Sequence, residues 1–267
     1  LEACHELISS LSLSQRQNPQ AGGLQTSLQA AQQRWPQLEQ RLSRTPPDEL
    51  LRRWLNVIRW RLEQTQRVEL EKPLPEGAYA SHEQLVRDAA QLLETVRHIA
   101  GGELVVEEVQ AWLDRIRTFG LCLASLDVRQ DSRQYRAVMR EIFLQLQLSD
   151  DFDALSETER QELLRRQLGV QRELDEQQLS PEARDTLALF RLLHQALRAF
   201  DSKTIGGHVI SMTHAASDVL TVLWLWKFVA PPAEAEAAPQ LPIMPLFETI
   251  GDLESGPQIL SDMFSVP

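Results

Sequence analysis

Apolar residues recur at helical spacing through most of the first half of the chain. Between Asp48 and Thr65, Leu51, Leu55, Ile58 and Leu62 fall at i, i+4, i+7 and i+11, which predicts one buried helical stripe. Trp54 and Trp60 lie beside that stripe and read as core bulk rather than ligand-stacking rings, with Asp48 as the N-cap. Gln25–Ser43, rich in Leu, Gln and Arg, reads as another helix. Lys72–Gly77 interrupts the pattern with two prolines and a glycine. Ser81 then caps a helix through Ile99 that ends at Gly101-Gly102, and Val106–Thr118 forms one more.

From Phe119 the pattern changes. Phe119–Gln130 is an apolar run that ends in Asp127, Arg129 and Gln130 and passes directly into a helix over Ser132–Leu146. That sequence of events marks a buried parallel strand. It occurs twice more, at His208–His214 before a helix over Ser217–Phe228, and at Leu241–Thr249 before a helix near Asp252. Helices over Ser156–Leu168 and Pro181–Ala199 fill the interval. The expected fold is therefore mostly α with a few parallel β-strands, part of a β/α barrel of the TIM type with large helical insertions. Residues 1–118 form a helical region, and 119–267 a partial barrel with strands near 120–130, 208–214 and 241–249, incomplete at both ends. Pro231–Gln240 is low in complexity and reads as a mobile surface loop. No internal repeat is visible.

Composition narrows the function. The chain has 267 residues, enough for a large core, with 43% apolar and 24% charged residues. A net charge of −11 disfavours nucleic-acid binding, which rests on clustered Lys and Arg. A small anionic substrate needs only a few placed arginines. Cys4 and Cys122 fit no CxxC pattern and suit a reducing, cytoplasmic setting without a signal peptide. The longest apolar run, Val219–Ala230, is too short to span a bilayer, so no membrane partner is expected. Leu1 already lies in helix-like sequence and Pro267 follows an amphipathic stretch, so a segment of a longer chain is expected.

Three strand ends present the candidate chemistry: Arg129, the group Ser211–His214, and Glu248. A carboxylate at the end of an apolar strand is costly to desolvate unless a metal ion or an arginine neutralises it. The alternative for Glu248 is pairing with, or capping, a neighbouring helix. Arg129 offers a planar fork for phosphate or carboxylate, or else a buried ion pair with Asp127 or Asp131. Asp127 and Arg129 share a strand face, so Asp127 can orient Arg129. His208 and His214 read as structural, Asp218 as a helix cap, and Gly206-Gly207 as a turn. The chain has no glycine-rich phosphate loop, GxSxG or HExxH.

Phe119-Gly120 followed by Leu126-Asp-Val-Arg-Gln-Asp-Ser132 resembles the FG…LDIRQ(E/D)S block of the phosphoenolpyruvate carboxylase family. Ile210-Ser-Met212 with Ser217-Asp-Val-Leu220 resembles its ISM…SDVL block, and Pro245-Leu-Phe-Glu-Thr249 with Asp252-Leu253 its PLFET..DL block. Upstream, Ile58–Leu62 and Tyr79–Ser81 look like the helical region before the first block. The order and spacing agree over most of the chain, least before Asp48, and the wording is closest to bacterial, cyanobacterial-like members. The resemblance implies a homotetrameric, mostly helical enzyme around an eight-stranded barrel. It would join phosphoenolpyruvate to bicarbonate with Mg²⁺ or Mn²⁺, giving oxaloacetate and phosphate. It further implies that Glu248 is a metal ligand, that Arg129 holds the substrate's anionic groups, and that Leu246 lines an apolar pocket at the enol methylene. Bicarbonate would attack phosphorus to give carboxyphosphate and an enolate, which a closed pocket shields from protons until it captures CO₂.

The chain departs from the family pattern at Tyr135, where a histidine is usual, at Gly251, and in the bulk of Trp224–Phe228. The family's TAHPTE, GYSDS.KD and FHGRGG..GRGG segments, with the catalytic histidine and second metal ligand, are absent from this sequence. One carboxylate does not hold Mg²⁺ against water, so no catalytic residue is expected in this segment and it should be inactive alone. The rival expectation is a helical interaction or scaffold protein in which Arg129 and Glu248 are structural ions.

Overall fold

The computed structural model describes residues 1–11, 22–200, 202–231 and 240–265. The chain divides into two compact units, one of Leu1–Ala124 with Ala199–Asp201, the other of Ser125–Arg198 and Ser202–Pro267. The expected loop at 231–240 falls outside the described residues from 232 to 239.

The first unit is helical: α1 (Glu2–Ser10), α2 (Gly22–Arg34), α3 (Leu38–Leu42), α4 (Leu50–Thr65), α5 (His82–His98) and α6 (Val106–Phe119). Leu51, Leu55 and Ile58 are buried as their spacing requires, and Leu62 packs against the same core. Trp54 and Trp60 are buried too, with Trp54 Nε1 donating to the Asp88 carbonyl. Two expectations change. The helix read over Gln25–Ser43 breaks after Arg34, because Pro36 has no amide to continue it. The N-cap position of α4 falls at Glu49, whose side chain makes no capping bond, rather than at Asp48.

The second unit carries β1 (Leu126–Asp131), α7 (Ser132–Gln145), α8 (Glu157–Gln167), α9 (Pro181–Ala199), β2 (Ile205–Ser211), α10 (Ala216–Phe228), β3 (Ile243–Pro245) and α11 (Ile250–Phe264). The strands form a parallel sheet in the order β1-β2-β3. Val128, Ile210 and Ile243 pack with Tyr135 of α7, Phe190 of α9 and Trp224 of α10. Nearly every residue of α10 is buried, as befits a helix apolar on all sides. The bulky Trp224 packs edge-on against Phe143 and stacks on Phe228. Ser156 and Glu159 form a reciprocal capping box at the start of α8.

The strands sit differently from their apolar runs. Phe119 belongs to α6, and pairing on β1 starts only at Leu126. β2 begins at Ile205, so Gly206-Gly207 lies inside a strand and is not a turn. A Cβ on Gly207 would lie 2.1 Å from Met244 Cε, so the glycine makes room for the neighbouring strand's side chain. β3 is short; Pro242 and Pro245 supply no amides for a longer ladder. No helix among the described residues is long and apolar enough to cross a membrane.

Candidate substrate and metal site

Alternation along the strands sorts the side chains into two sets. Register aligns Arg129 with Val209 and Val209 with Met244, one row on the face away from the helix-packed Val128, His208 and Ile243. Arg129 is 72% exposed on that face, and its Nη2 stands 3.7 Å from Asp127 Oδ2, beyond hydrogen-bond reach. Asp131 does not pair with it either. Its carboxylate is bound by Arg133 instead, at 2.6 Å from Nη2, and is held below the usual carboxylate range by that bond. Of the ion pairs weighed for Arg129, the one with Asp127 is present but loose and exposed rather than buried, and the one with Asp131 is absent.

Beyond the strands, the chain after β3 runs alongside the chain after β2. The Leu246 amide donates to the Ile210 carbonyl at 2.8 Å, and the Thr213 amide to the Leu246 carbonyl at 3.3 Å. Leu246 itself is 37% exposed. Glu248 is exposed, so water rather than a buried partner can solvate its charge, and the desolvation argument made from the apolar strand does not hold. Glu248 Oε2 accepts the Met212 amide at 3.0 Å. Oε1 has no protein partner among the described residues.

Met212, inside the candidate group Ser211–His214, has a backbone conformation that sequence reasoning missed. Its φ is +53°, a left-handed conformation that residues other than glycine seldom adopt. Ser132 Oγ donates to its carbonyl at 2.6 Å, while its amide binds Glu248. A strained backbone unit is thus pinned from both sides at the end of the central strand. Methionine carries no turn signal, so the sequence shows no sign of this conformation.

Asp252 orders the same loop. Its Oδ2 accepts the amides of Thr249 and Glu248 at 2.9 and 3.2 Å, and its Oδ1 receives His214 Nδ1 at 2.7 Å. The Thr249 amide above all, with His214 and the Glu248 amide, brings its carboxyl down to about 2. Thr249 and Asp252 form a capping box for α11, legible in the sequence as Thr-x-x-Asp. Asp218 caps α10 as expected, accepting the amides of His214 and Ala215, and pairs with Arg136 at 2.9 Å. His208 is structural: fully buried, it shares a 2.7 Å hydrogen bond with the Tyr135 hydroxyl. Burial lowers its pKa to about 4.

No group of three or more His, Cys, Asp or Glu among the described residues could hold a metal ion. Glu248 fits such a role only as a single ligand with one oxygen to spare. Polar groups on loops at the carboxyl ends of parallel strands are the arrangement by which α/β proteins bind ligands.

A sequence model of the family described as phosphoenolpyruvate carboxylase matches residues 1–267. Similar curated proteins include the phosphoenolpyruvate carboxylase of Parasynechococcus marenigrum strain WH8102, 32% identical over 194 residues that cover 72% of this chain and 19% of that protein. That of Prochlorococcus marinus strain MIT 9515 is 32% identical over 166 residues, 61% of this chain and 17% of that protein. That of Synechococcus strain WH7803 is 32% identical over 178 residues, 66% and 18%. The chain belongs to the phosphoenolpyruvate carboxylase family. It spans roughly a fifth of the length of the curated relatives it matches.

Proposed function

We propose that this chain supplies part of the active site of an enzyme that carboxylates phosphoenolpyruvate with bicarbonate to oxaloacetate and phosphate. The observation that carries the reading is the family match over residues 1–267. On this reading the three-stranded sheet is a section of a β/α barrel, and its exposed face is the barrel interior. Arg129, with no hydrogen-bonded partner of its own, presents its fork to the phosphate or carboxylate of the substrate. Leu246 forms part of the apolar wall that keeps water from the enolate carbon. Glu248, oriented by the Met212 amide, offers Oε1 to a divalent cation, Mg²⁺ or Mn²⁺, which would neutralise charge on phosphate and enolate oxygens. Its other ligands, and the residues that move protons, lie outside this sequence, so no step is assigned to the cation. The whole protein is a cytoplasmic homotetramer on the same reading, and the 267-residue chain is inactive by itself.

The test is Glu248→Gln in the whole enzyme, with oxaloacetate formation followed against Mg²⁺ concentration. The amide keeps the Met212 contact but loses the charge. The Mg²⁺ required for half-maximal rate should rise about tenfold or more, or turnover should vanish. An unchanged Mg²⁺ dependence removes Glu248 from the site. Carboxylation by the isolated 267-residue chain would overturn the proposal that the site is shared with other segments.

A further inference from the structure

His214 makes a bond that the helix caps around it do not need. The reciprocal box at the start of α11 uses one carboxylate oxygen of Asp252: Oδ2 accepts the Thr249 amide at 2.9 Å, while the Asp252 amide donates to Thr249 Oγ1 at 3.1 Å. Oδ1 is left over, and His214 Nδ1 takes it at 2.7 Å. The carboxylate is nearly buried, whereas the imidazole is 46% exposed. A carboxylate that accepts two backbone amides stays ionised and can only accept. His214 Nδ1 therefore carries the proton, and Nε2 has no hydrogen-bond partner among the described residues.

Past the backbone bond from Thr213 to Leu246, two side-chain bonds join the loop after β2 to the loop after β3. One runs from the Met212 amide to Glu248 Oε2 at 3.0 Å, the other from His214 to Asp252. Asp252 Oδ2 also accepts the Glu248 amide at 3.2 Å, which closes a ring through Met212, His214, Asp252 and Glu248. Glu248 is thus held at both ends, its main chain by Asp252 and its carboxylate by Met212. His214 is anchored in turn. Its amide donates to Asp218 Oδ2 at 3.0 Å, and Asp218, itself buried, pairs with Arg136 of α7 at 2.9 Å.

We propose that His214 is a positioning residue for Glu248, its Nδ1–H acting through Asp252 to hold the main chain from which that carboxylate reaches a divalent cation. The inference rests on the reading of Glu248 as a metal ligand. A ligand fixed in advance loses less freedom when the cation binds, and partners behind a ligand set how it is presented. A short bond from an N–H to a nearly buried carboxylate is of the strong, charge-assisted kind. The other bonds of the ring involve backbone amides, so His214 is the member that a side-chain change can remove without touching Asp252 or Glu248.

Mn²⁺ binding to the whole enzyme without substrate, followed by the paramagnetic resonance signal of the free ion, tests this assignment. His214→Ala should weaken Mn²⁺ binding about tenfold. His214→Asn, whose amide N–H takes the place of Nδ1–H, should stay within about twofold of wild type. His214→Gln, which reaches the Nε2 position instead, should resemble the alanine variant. Unchanged affinity in His214→Ala overturns the inference, and Glu248→Gln measured alongside shows what failed. Weakened binding there keeps Glu248 as a ligand and removes His214 alone, whereas unchanged binding there removes the ligand reading and this inference together. Rescue by glutamine in place of asparagine assigns the role to Nε2 and also overturns it. Should His214→Ala fail to fold, the other two variants decide: equal Mn²⁺ affinity in His214→Asn and His214→Gln overturns the inference.

Discussion

Arg61 and Arg129 show what separates the two units. In the helical unit, Arg61 is buried against Tyr79 and bonded to Asp88, Gln84 and a carbonyl, so its charge is consumed in holding α4 to α5. In the strand-bearing unit, Arg129 stands on an open sheet face with no bond closer than 3.7 Å. The unit built from helices satisfies its buried charges internally. The unit built on strands packs helices against one sheet face and leaves the other holding charged and apolar side chains, Asp127, Arg129, Met244 and Leu246. A residue type therefore says little about role until its partners are counted, and an arginine held only by one loose, exposed ion pair is the one free to bind.

The largest test of that contrast is Arg61→Met. It strands Asp88 in a buried site, where burial already pushes its carboxyl up against the pull of Arg61, and should cost about 3–5 kcal/mol by urea unfolding. A loss under about 1 kcal/mol would erase the distinction between the units' arginines.

Next comes pH. His208 has its pKa lowered to about 4 by burial, against an ordinary value near 6.5. The unfolded chain therefore takes up the proton first. The strand-bearing unit has its full stability above about pH 6.5, loses about 3 kcal/mol as pH falls to 4, and changes little further from this group below that. His208→Gln should flatten that slope in denaturation curves recorded across the window; an unaltered slope assigns it to other groups.

A smaller effect distinguishes two glycines. A Cβ on Gly77 would fall 2.1 Å from the Trp60 ring at φ +84°, whereas on Gly207 it meets the flexible end of Met244. Gly77→Ala should cost about 2–3 kcal/mol and Gly207→Ala about 1, because a methionine tip can move and a buried indole cannot. Equal costs would mean that the sheet face is packed as tightly as the helical core. Smallest of all, Arg129→Ala should leave stability within about 0.5 kcal/mol of wild type.

The helices were legible because each follows from its own stretch of sequence, as the stripe Leu51–Leu55–Ile58 illustrates. The strands were legible as events but not in extent. An apolar run carries no period of its own, so Phe119–Ala124 read as buried strand although α6 and a turn hold it and Phe119 and Leu123 are exposed. Gly206-Gly207 misled because its reason lies on another strand, in Met244. At the candidate site, Arg129, Leu246 and Glu248 were found by motif and Asp218 by its place at a helix start. The backbone conformation of Met212 was invisible, since it is enforced by Ser132 and Glu248, each far away in sequence.

The parallel sheet also sets a timetable. β1 meets β2 only after α7, α8 and α9 have been traversed, and β3 must wait for α10. Parallel pairing of this kind closes long loops before any ladder bond rewards it, so it is intrinsically slow. In the first unit α5 packs on its sequence neighbour α6, while α1 must still reach α4 and α6. The strand-bearing unit thus acquires its sheet late, and until then the polar backbone of its strands is open to any other chain that offers an edge. The two prolines around β3 then serve a kinetic purpose, since a strand short of amides makes a poor template for the wrong partner.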